Sequence, residues 1–453
     1  MSPPGAAAQH TRPAPWWGAL ALGVWAAAIG FRPMLALPLA AALLIWWTLR
    51  TPVRWLALFL GTALLLPPLP IPIGDSGPHP SLIFAALGLV AGVLWMGQWR
   101  IAANSLQLAF VALFGVLLAS VGPAAFYSGW EAAGGSLARV ALFGISVYLF
   151  FYCSSGPARD VDAARSVRLL YMAAVVAALF ACVDFYFQFP APAGYGPQFV
   201  WLDSGVFRRA QGLFYEASTL GNFCAFFLVM IAVAFSRARE ESPVARKWLA
   251  LGAAVFLAAL VVSYSRASLI NVGVALAVLL WRNRRRVRMS RVLAVAAAGA
   301  VVTWLVFPVF VEAYLLRLSR SAEFFFSATE GVLSGRVASW RTLVDWAMAN
   351  PWRALTGIGY KTLPYTDYLG APVVADNMYL SLLVETGVAG LAALVWLNVA
   401  IMRALLRARE SLCSTWMLCF WAGEIVQMAS GDLLTYWRVL PVYFFVLALA
   451  LRV

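Results

Sequence analysis

Glu216-Ala-Ser-Thr-Leu-Gly-Asn-Phe-Cys-Ala-Phe-Phe-Leu-Val-Met-Ile-Ala-Val-Ala-Phe-Ser236 opens on one carboxylate and then runs to Ser236 without a charge. A helix rises ~1.5 Å per residue, so this stretch reaches ~30 Å, the thickness of a bilayer's hydrocarbon core. Comparable apolar runs recur near 16–31, 33–49, 53–67, 81–98, 105–121, 136–153, 166–187, 247–263, 268–282, 292–312, 378–401, 411–430 and 438–452. Within lipid every backbone N–H and C=O must be satisfied internally, which leaves helices or closed barrels. These runs are continuously apolar and lack period-two alternation, so helices are expected. The chain is 63% hydrophobic and 11% charged, with mean hydropathy +0.83; a soluble domain carries about 25% charged residues. The fold class is therefore an all-α polytopic membrane protein. Because the first, second and tenth runs are short, 12–14 transmembrane helices are expected.

Positive charge sets the orientation. Arg282-Asn-Arg-Arg-Arg-Val-Arg288 with Arg291 marks a cytoplasmic loop, and alternation from there puts the other Arg-rich short loops and both termini on the same side. The formal charge of +14 is then a property of the cytoplasmic face, where anionic lipid is the partner. That argues against nucleic acid. The five cysteines lie in or beside apolar runs and form no C-x-x-C pattern, so they read as small buried hydrophobes. Two histidines, His10 and His79, do not make a zinc site. No metal and no cofactor is expected.

The exception to the apolar pattern is a polar island. Residues 1–15 read as a disordered cytoplasmic tail, 16–312 as membrane helices, 313–377 as a periplasmic loop subdomain and 378–453 as C-terminal membrane helices. Over 335–349 the island has a helical pattern, with Arg336, Trp340 and Leu343 at i, i+4 and i+7. A loop this long in a compact protein serves a function or is disordered; the helical pattern favours order. The same topology puts loops 68–80, 122–135 (Gly-rich), 188–215 and 263–268 on the outer face with it.

Several residues on that face carry chemistry. Arg208, Arg209 and Arg266 come from short segments next to apolar runs. Each alone serves as an interfacial anchor; together their guanidinium groups match the oxygens of a diphosphate. Asp376-Asn377 precedes an apolar helix. Both residue types are preferred N-caps, and a carboxylate there is also placed to act as a general base. Glu216 enters its run as a cap, an arginine partner or a substrate contact. Asp184 and Glu424 lie within apolar runs and receive no assignment.

In order along the chain stand Arg208-Arg-Ala-Gln-Gly-Leu-Phe-Tyr-Glu-Ala-Ser218, Ser265-Arg266, Gly335-Arg336 with Trp340, Pro351, Gly357-Ile-Gly359, Asp376-Asn-Met-Tyr-Leu380 and Glu385-Thr-Gly387 with Gly390. This series resembles the O-antigen ligase/polymerase superfamily of bacterial envelope polysaccharide assembly, the Wzy–WaaL group, over roughly residues 200–400. The resemblance implies a metal-independent glycosyltransferase with the C-type membrane fold. It would act at the periplasmic face of the inner membrane on glycans carried by undecaprenyl pyrophosphate. It implies pyrophosphate binding by Arg208 or Arg209 and by Arg266, and matches Arg336 to the family's loop arginine. Ligases of the family carry His-Asn where this chain has Asp376-Asn377, and no histidine follows His79. The Asp-Asn form resembles polymerases more.

The expected reaction joins lipid-linked repeat units. Arg266 and Arg208 or Arg209 would neutralise the leaving diphosphate, Asp376 would take the acceptor proton, Glu216, Arg336 and Asn377 would contact substrate, and the island would exclude water. A chain-length regulator and a flippase are possible partners. Transfer of a finished glycan to lipid A-core or protein is the alternative reaction. A lipid-linked-glycan transporter is the alternative of another class, but it calls for charged residues along a midplane path and for inverted repeats; the apolar runs hold few charges, and no repeat is evident.

Overall fold

The computed structural model describes residues 36–69, 78–101, 103–190, 198–202, 205–283 and 336–452, with Gly23, Val24, Ala26 and Trp304 besides. Apart from those four single residues, the runs near 16–31 and 292–312 lie outside the described residues. So do the tail 1–15, most of loop 68–80, the basic stretch after Asn283 and residues 313–335 of the island.

The described elements are helices α1 (Ala36–Leu49), α2 (Arg54–Leu65), α3 (Ser81–Leu94), α4 (Ser105–Ala119), α5 (Val121–Ser154) and α6 (Ala163–Phe187). A two-stranded hairpin follows, β1 (Phe199–Leu202) and β2 (Gly205–Arg208). Then come α7 (Ala217–Ser236), α8 (Arg246–Val262), α9 (Arg266–Arg282), α10 (Arg336–Ala349), α11 (Pro351–Thr356), α12 (Met378–Arg407), α13 (Leu412–Gln427) and α14 (Leu440–Ala450). Four stretches are long and apolar enough to cross a membrane: Ser105–Ser154, Ala163–Phe187, Ala217–Ser236 and Met378–Arg407. The protein is an all-α polytopic membrane protein, as its apolar runs require.

Two expectations change. The stretch 122–135 is helical rather than a loop: α5 starts at Val121 and is interrupted at Gly129, where φ is +86°. Its Gly-Pro start does not prevent this, because proline is tolerated in a helix's first turn. The runs near 33–49 and 53–67 form α1 and α2, bent by 117° at a short break. Pro52 sits in that break, and proline disfavours a helical conformation in the residue before it.

The centre of the bundle is α14, buried at every position from Leu440 to Ala450. A helix that is hydrophobic all round belongs inside. Phe110 and Phe143 pack edge-on against Phe444, while Phe226 and Phe420 pack against Tyr443 with ring centroids 4.5 and 4.9 Å away. Around this post, α7 packs on α8 and α9, α9 on α13, and α4 on α12. A polar network crosses three of these helices and the post. Asn222 and Asn271 both donate to Glu424 Oε2 (2.7 and 2.9 Å) and to Gln427 Oε1 (3.0 Å each), and Tyr443 donates to Asn222 Oδ1 at 2.6 Å. Glu424 is buried without a cation partner among the described residues, and the four amide contacts supply donors to its Oε2 and to Gln427 Oε1.

The loop subdomain has its own small core, built on Leu343, Ile358, Leu363, Ala375 and Val384. It is fastened to α12 through a break in that helix. At Gly387 the backbone takes φ +75° and ψ −172°, a conformation that only glycine adopts readily. The carbonyls before such a break lose their helical partners. Val384 O and Glu385 O instead accept from Ile358 N (3.1 Å) and Gly359 N (2.8 Å). The two glycine motifs, 357–359 and 385–387, thus form one joint. Its other side is closed by α5, because a Cβ at Gly359 would collide with the backbone of Ala124.

The break also folds α12 back on itself. Met378 N donates to Met428 O at 2.9 Å, and Asn398 Nδ2 contacts Met428 Sδ at 3.6 Å. Met378 and Asn398 are twenty residues apart in sequence, and in an unbroken helix they would lie ~30 Å apart. Both reach Met428 because the two arms of α12 diverge from Gly387 and flank the end of α13.

Candidate functional site

Residues that the sequence singles out gather at the end of the bundle carrying the loop subdomain. The first arm of α12 starts there. Asn377 is its N-cap: its Oδ1 accepts from Tyr379 N (3.0 Å) and Leu380 N (3.1 Å). The capping role belongs to Asn377 alone, and Asp376 is turned away from it. Asp376 has φ +45°, a left-handed conformation costly for any side chain other than glycine, though less so for Asp and Asn. Such strain persists where the surroundings hold it, and it concentrates at functional sites.

Arg336 holds it. Arg336 opens α10, and its Nε donates to Asp376 Oδ2 at 3.1 Å. One turn on, Trp340 Nε1 donates to Ala375 O at 2.7 Å, and Leu343 is buried in the subdomain core. The i, i+4, i+7 face of α10 is therefore the face that grips the Ala375-Asp376 strand. Asp376 remains 46% exposed at its side chain, so a substrate can reach it.

Glu216 stands at the start of α7 and accepts from Ser218 Oγ at 2.7 Å. Burial raises the affinity of its carboxyl for a proton. The Ser218 bond opposes this; the negative field of Asp376 adds to it, Lys361 opposes it, and Asp432 adds to it again. Asp376, Lys361 and Asp432 thus all stand close enough to act on Glu216. Sequence reading missed the last two. Lys361 also has a left-handed backbone, φ +58°, and its ammonium pairs with Asp432. Burial alone would lower the Lys361 pKa, but the carboxylates of Asp432 and Glu385 outweigh it and hold it above the ordinary lysine value. Glu385 in turn accepts from Leu363 N at 3.3 Å. The signal for Lys361 was its place directly after Gly357-Ile-Gly-Tyr360. Nothing local in sequence marked Asp432, which joins the site from the turn between α13 and α14.

The three arginines separate. Arg208 ends β2 and points into the bundle wall: Nη2 donates to Asp184 Oδ1 and to Phe189 O, both at 2.6 Å, and the residue is 8% exposed. Asp184, unassigned from sequence, is thus the partner of Arg208. Arg209 turns the other way, and its Nε donates to Ser263 O at 2.9 Å. Arg266 is the first residue of α9, half-buried, directly after this tight turn. In that turn Tyr264 has φ +52° and Ser265 Oγ lies 2.7 Å from Ser268 Oγ. Arg209 and Arg266 therefore flank one turn. The turn is pressed onto α7 at Gly221, where a Cβ would stand 2.5 Å from Ser265 Cβ, little more than one helical turn past Glu216. A cation at a helix N-terminus adds to the positive end of the helix dipole, and that combination favours an anion.

The end of the bundle thus presents a cationic corner, Arg209 and Arg266 at the α9 N-terminus. Beside it lies a carboxylate group, Asp376 and Glu216, with Lys361–Asp432. Such an arrangement can hold an anionic leaving group and accept a proton from a hydroxyl. Among the described residues no group of three or more His, Cys, Asp and Glu has the geometry to hold a metal ion.

Residues 251–395 match the family model described as O-antigen ligase, Wzy_C. The matched stretch contains α9, the island and the first arm of α12 with its Gly387 joint. No curated protein matches the chain.

Proposed function

From membership of the O-antigen ligase/polymerase superfamily, carried by residues 251–395, we propose that the chain is a polysaccharide polymerase. In this reading it joins oligosaccharide repeat units linked to undecaprenyl pyrophosphate, at the periplasmic face of the bacterial inner membrane. The observation that carries the reading is the Arg336–Asp376 pair: a reachable carboxylate in a left-handed backbone, held in place by the loop subdomain at the same end of the bundle as Arg209 and Arg266.

The reaction breaks the bond between the donor's anomeric carbon and the diphosphate oxygen and forms a glycosidic bond to an acceptor hydroxyl. Undecaprenyl pyrophosphate leaves with the bonding electron pair. Arg266 and Arg209 stabilise its growing charge, and the α9 N-terminus adds to them. Of the two arginines in the Arg208-Arg209 pair, Arg209 takes this role, because Arg208 is committed to Asp184. Asp376 orients the acceptor hydroxyl and takes its proton as the new bond forms. Glu216, kept toward its neutral form by burial, donates or accepts a hydrogen bond to a sugar hydroxyl. Asn377 shapes the start of α12, and the subdomain closes the site from water.

The test is incubation of the purified protein in nanodiscs with a lipid-linked repeat unit. A ladder of product lengths supports polymerisation. A single transfer to added lipid A-core identifies a ligase instead, and absence of any transfer sinks both.

A further inference from the structure

The turn between α13 and α14 reaches the candidate site with two side chains. Asp432, at its start, pairs with Lys361 and accepts from Leu434 N at 3.0 Å. Tyr436, at its end, is 3% exposed. Its carbonyl accepts from Val439 N and Leu440 N, both at 2.9 Å, so the residue is fixed to the start of the buried post α14. Its hydroxyl is hydrogen-bonded to Ser218, and Ser218 Oγ in turn donates to Glu216 Oε2 at 2.7 Å. A serine hydroxyl has one proton to donate and two lone pairs that accept. That proton goes to Glu216, so Ser218 accepts from Tyr436. The bonds therefore run one way, from Tyr436 to Ser218 to Glu216 Oε2.

We propose that Tyr436 is a positioning residue for Glu216: through Ser218 it occupies Oε2 and reserves Oε1 for the substrate. The inference rests on the proposed glycosyl transfer for what Glu216 touches, and on the chain of bonds for how Glu216 is held. A proton bound at Oε2 would have to reverse both bonds, and it would take from the buried Tyr436 hydroxyl the acceptor it uses. The proton therefore binds at Oε1. A neutral Glu216 then donates from Oε1 to a sugar hydroxyl, whereas an ionised one can only accept there. The bond from Ser218 also supports the ionised form, against the effect of burial. The charged groups that face Glu216 come from three other segments: Asp376 before α12, Lys361 after the glycine joint and Asp432 in the same turn as Tyr436. Through Ser236, α7 itself carries none. All three stay in place when Tyr436 or Ser218 is changed, so a change in the titration of Glu216 reports the chain alone.

The experiment is an infrared pH titration of the full chain in nanodiscs. The carbonyl band of the protonated Glu216 carboxyl is the one that Glu216→Gln removes. In Tyr436→Phe and in Ser218→Ala the ionised form loses hydrogen-bond support, so the band should persist to higher pH than in the wild type. The double variant should titrate as Ser218→Ala does, because Tyr436 acts only through Ser218. Unmoved titration in both single variants overturns the proposal, and so do additive shifts. Absence of the band at every pH overturns it too, because Glu216 then never carries the proton. If Tyr436→Phe does not fold, 3-fluorotyrosine in place of Tyr436 decides: it is a stronger donor, so the band should vanish at lower pH, and no movement overturns the proposal. In the transfer assay each single variant should lower kcat about tenfold, the scale of one hydrogen bond to a charged group, and the double variant no further than Ser218→Ala. Shifted titrations with no transfer by the wild type would sink the glycosyl-transfer reading and leave the chain assigned. Transfer by the wild type with unmoved titrations would do the reverse.

Discussion

Arg336 Nε lies 3.1 Å from Asp376 Oδ2, and this one contact couples the first turn of the subdomain's helix to the residue before the cap of α12. Asp376 has a costly backbone and a reachable side chain, a combination expected of a group kept for chemistry rather than for packing. Asp376→Asn keeps the shape, and asparagine tolerates a left-handed backbone. The variant should keep the wild-type apparent Tm, and transfer of lipid-linked glycan should fall ~10²–10⁴-fold, the range a positioned base supplies. Wild-type turnover would remove Asp376 as the base.

The Arg336–Asp376 pair is 30% and 46% exposed on its two sides. A pair so open to solvent contributes ~1 kcal/mol or less to stability. Arg336→Ala should therefore leave the apparent Tm within a degree or two while turnover falls by about 10²-fold, the penalty for a misplaced catalytic group. Arg336→Lys keeps the charge but not the planar donor geometry and should recover only part of the rate. A large drop in Tm with proportionate loss of rate would make the pair structural.

Much of this is legible in the sequence. The spacing of Arg336, Trp340 and Leu343 already described the face of α10 that grips Ala375-Asp376, because helical period is a local property. Asn377 as a cap and the apolar runs as helices were legible for the same reason. The return of α12 onto Met428 was not. A glycine within an apolar run signals neither a break nor its angle, and the Gly387 break acts only because Ile358 and Gly359 supply the missing N–H donors. Nor could the sequence divide Arg208 from Arg209. Adjacent residues of a chain leaving a strand point opposite ways, and which one meets Asp184 depends on how the hairpin docks. Lys361–Asp432 spans 71 residues, and charge alone did not foretell it.

Gly387→Ala tests the joint. The position needs φ +75°, and an added Cβ would strike the carbonyl oxygen of Leu355. The backbone strain and the clash together should cost at least ~3 kcal/mol. The variant should show a lowered apparent Tm and faster proteolysis within 351–387. Gly273→Ala, where a Cβ meets nothing within 4 Å, is the control and should behave as wild type.

Lys361 and Asp432 are 12% and 14% exposed, so this pair differs in kind from Arg336–Asp376. Removing one partner leaves a charge in a poorly solvated place, typically at a cost of ~3–5 kcal/mol. Lys361→Met should be the more damaging single change, since it leaves Asp432, Glu385 and Glu216 with no compensating ammonium. Lys361→Met with Asp432→Leu should recover a good part of the lost stability. If the double variant is as unstable as the sum of the two singles, as read by thermal unfolding, the pair is not coupled.

His79 supplies a pH test away from the candidate site. Its Nε2 lies 2.9 Å from Leu66 O, and a carbonyl only accepts, so Nε2 carries the proton. Nδ1 then accepts from Ser81 Oγ at 2.8 Å and from Ser81 N at 3.2 Å. Burial disfavours the charged ring, and Arg438 nearby adds to this; the Leu66 carbonyl favours it, and the net pKa falls from 6.5 to about 4. The folded state therefore binds the His79 proton more weakly than the unfolded state does. Its contribution to stability is complete above pH 6.5 and is lost as pH falls from there toward about 4. A thermal-stability profile from pH 7.5 to 4.5 should decline through this window in the wild type. In His79→Gln, whose amide can still donate to Leu66 O and accept from Ser81 but does not titrate, that part of the decline should vanish. Identical slopes in the two proteins would assign the acid sensitivity to other groups.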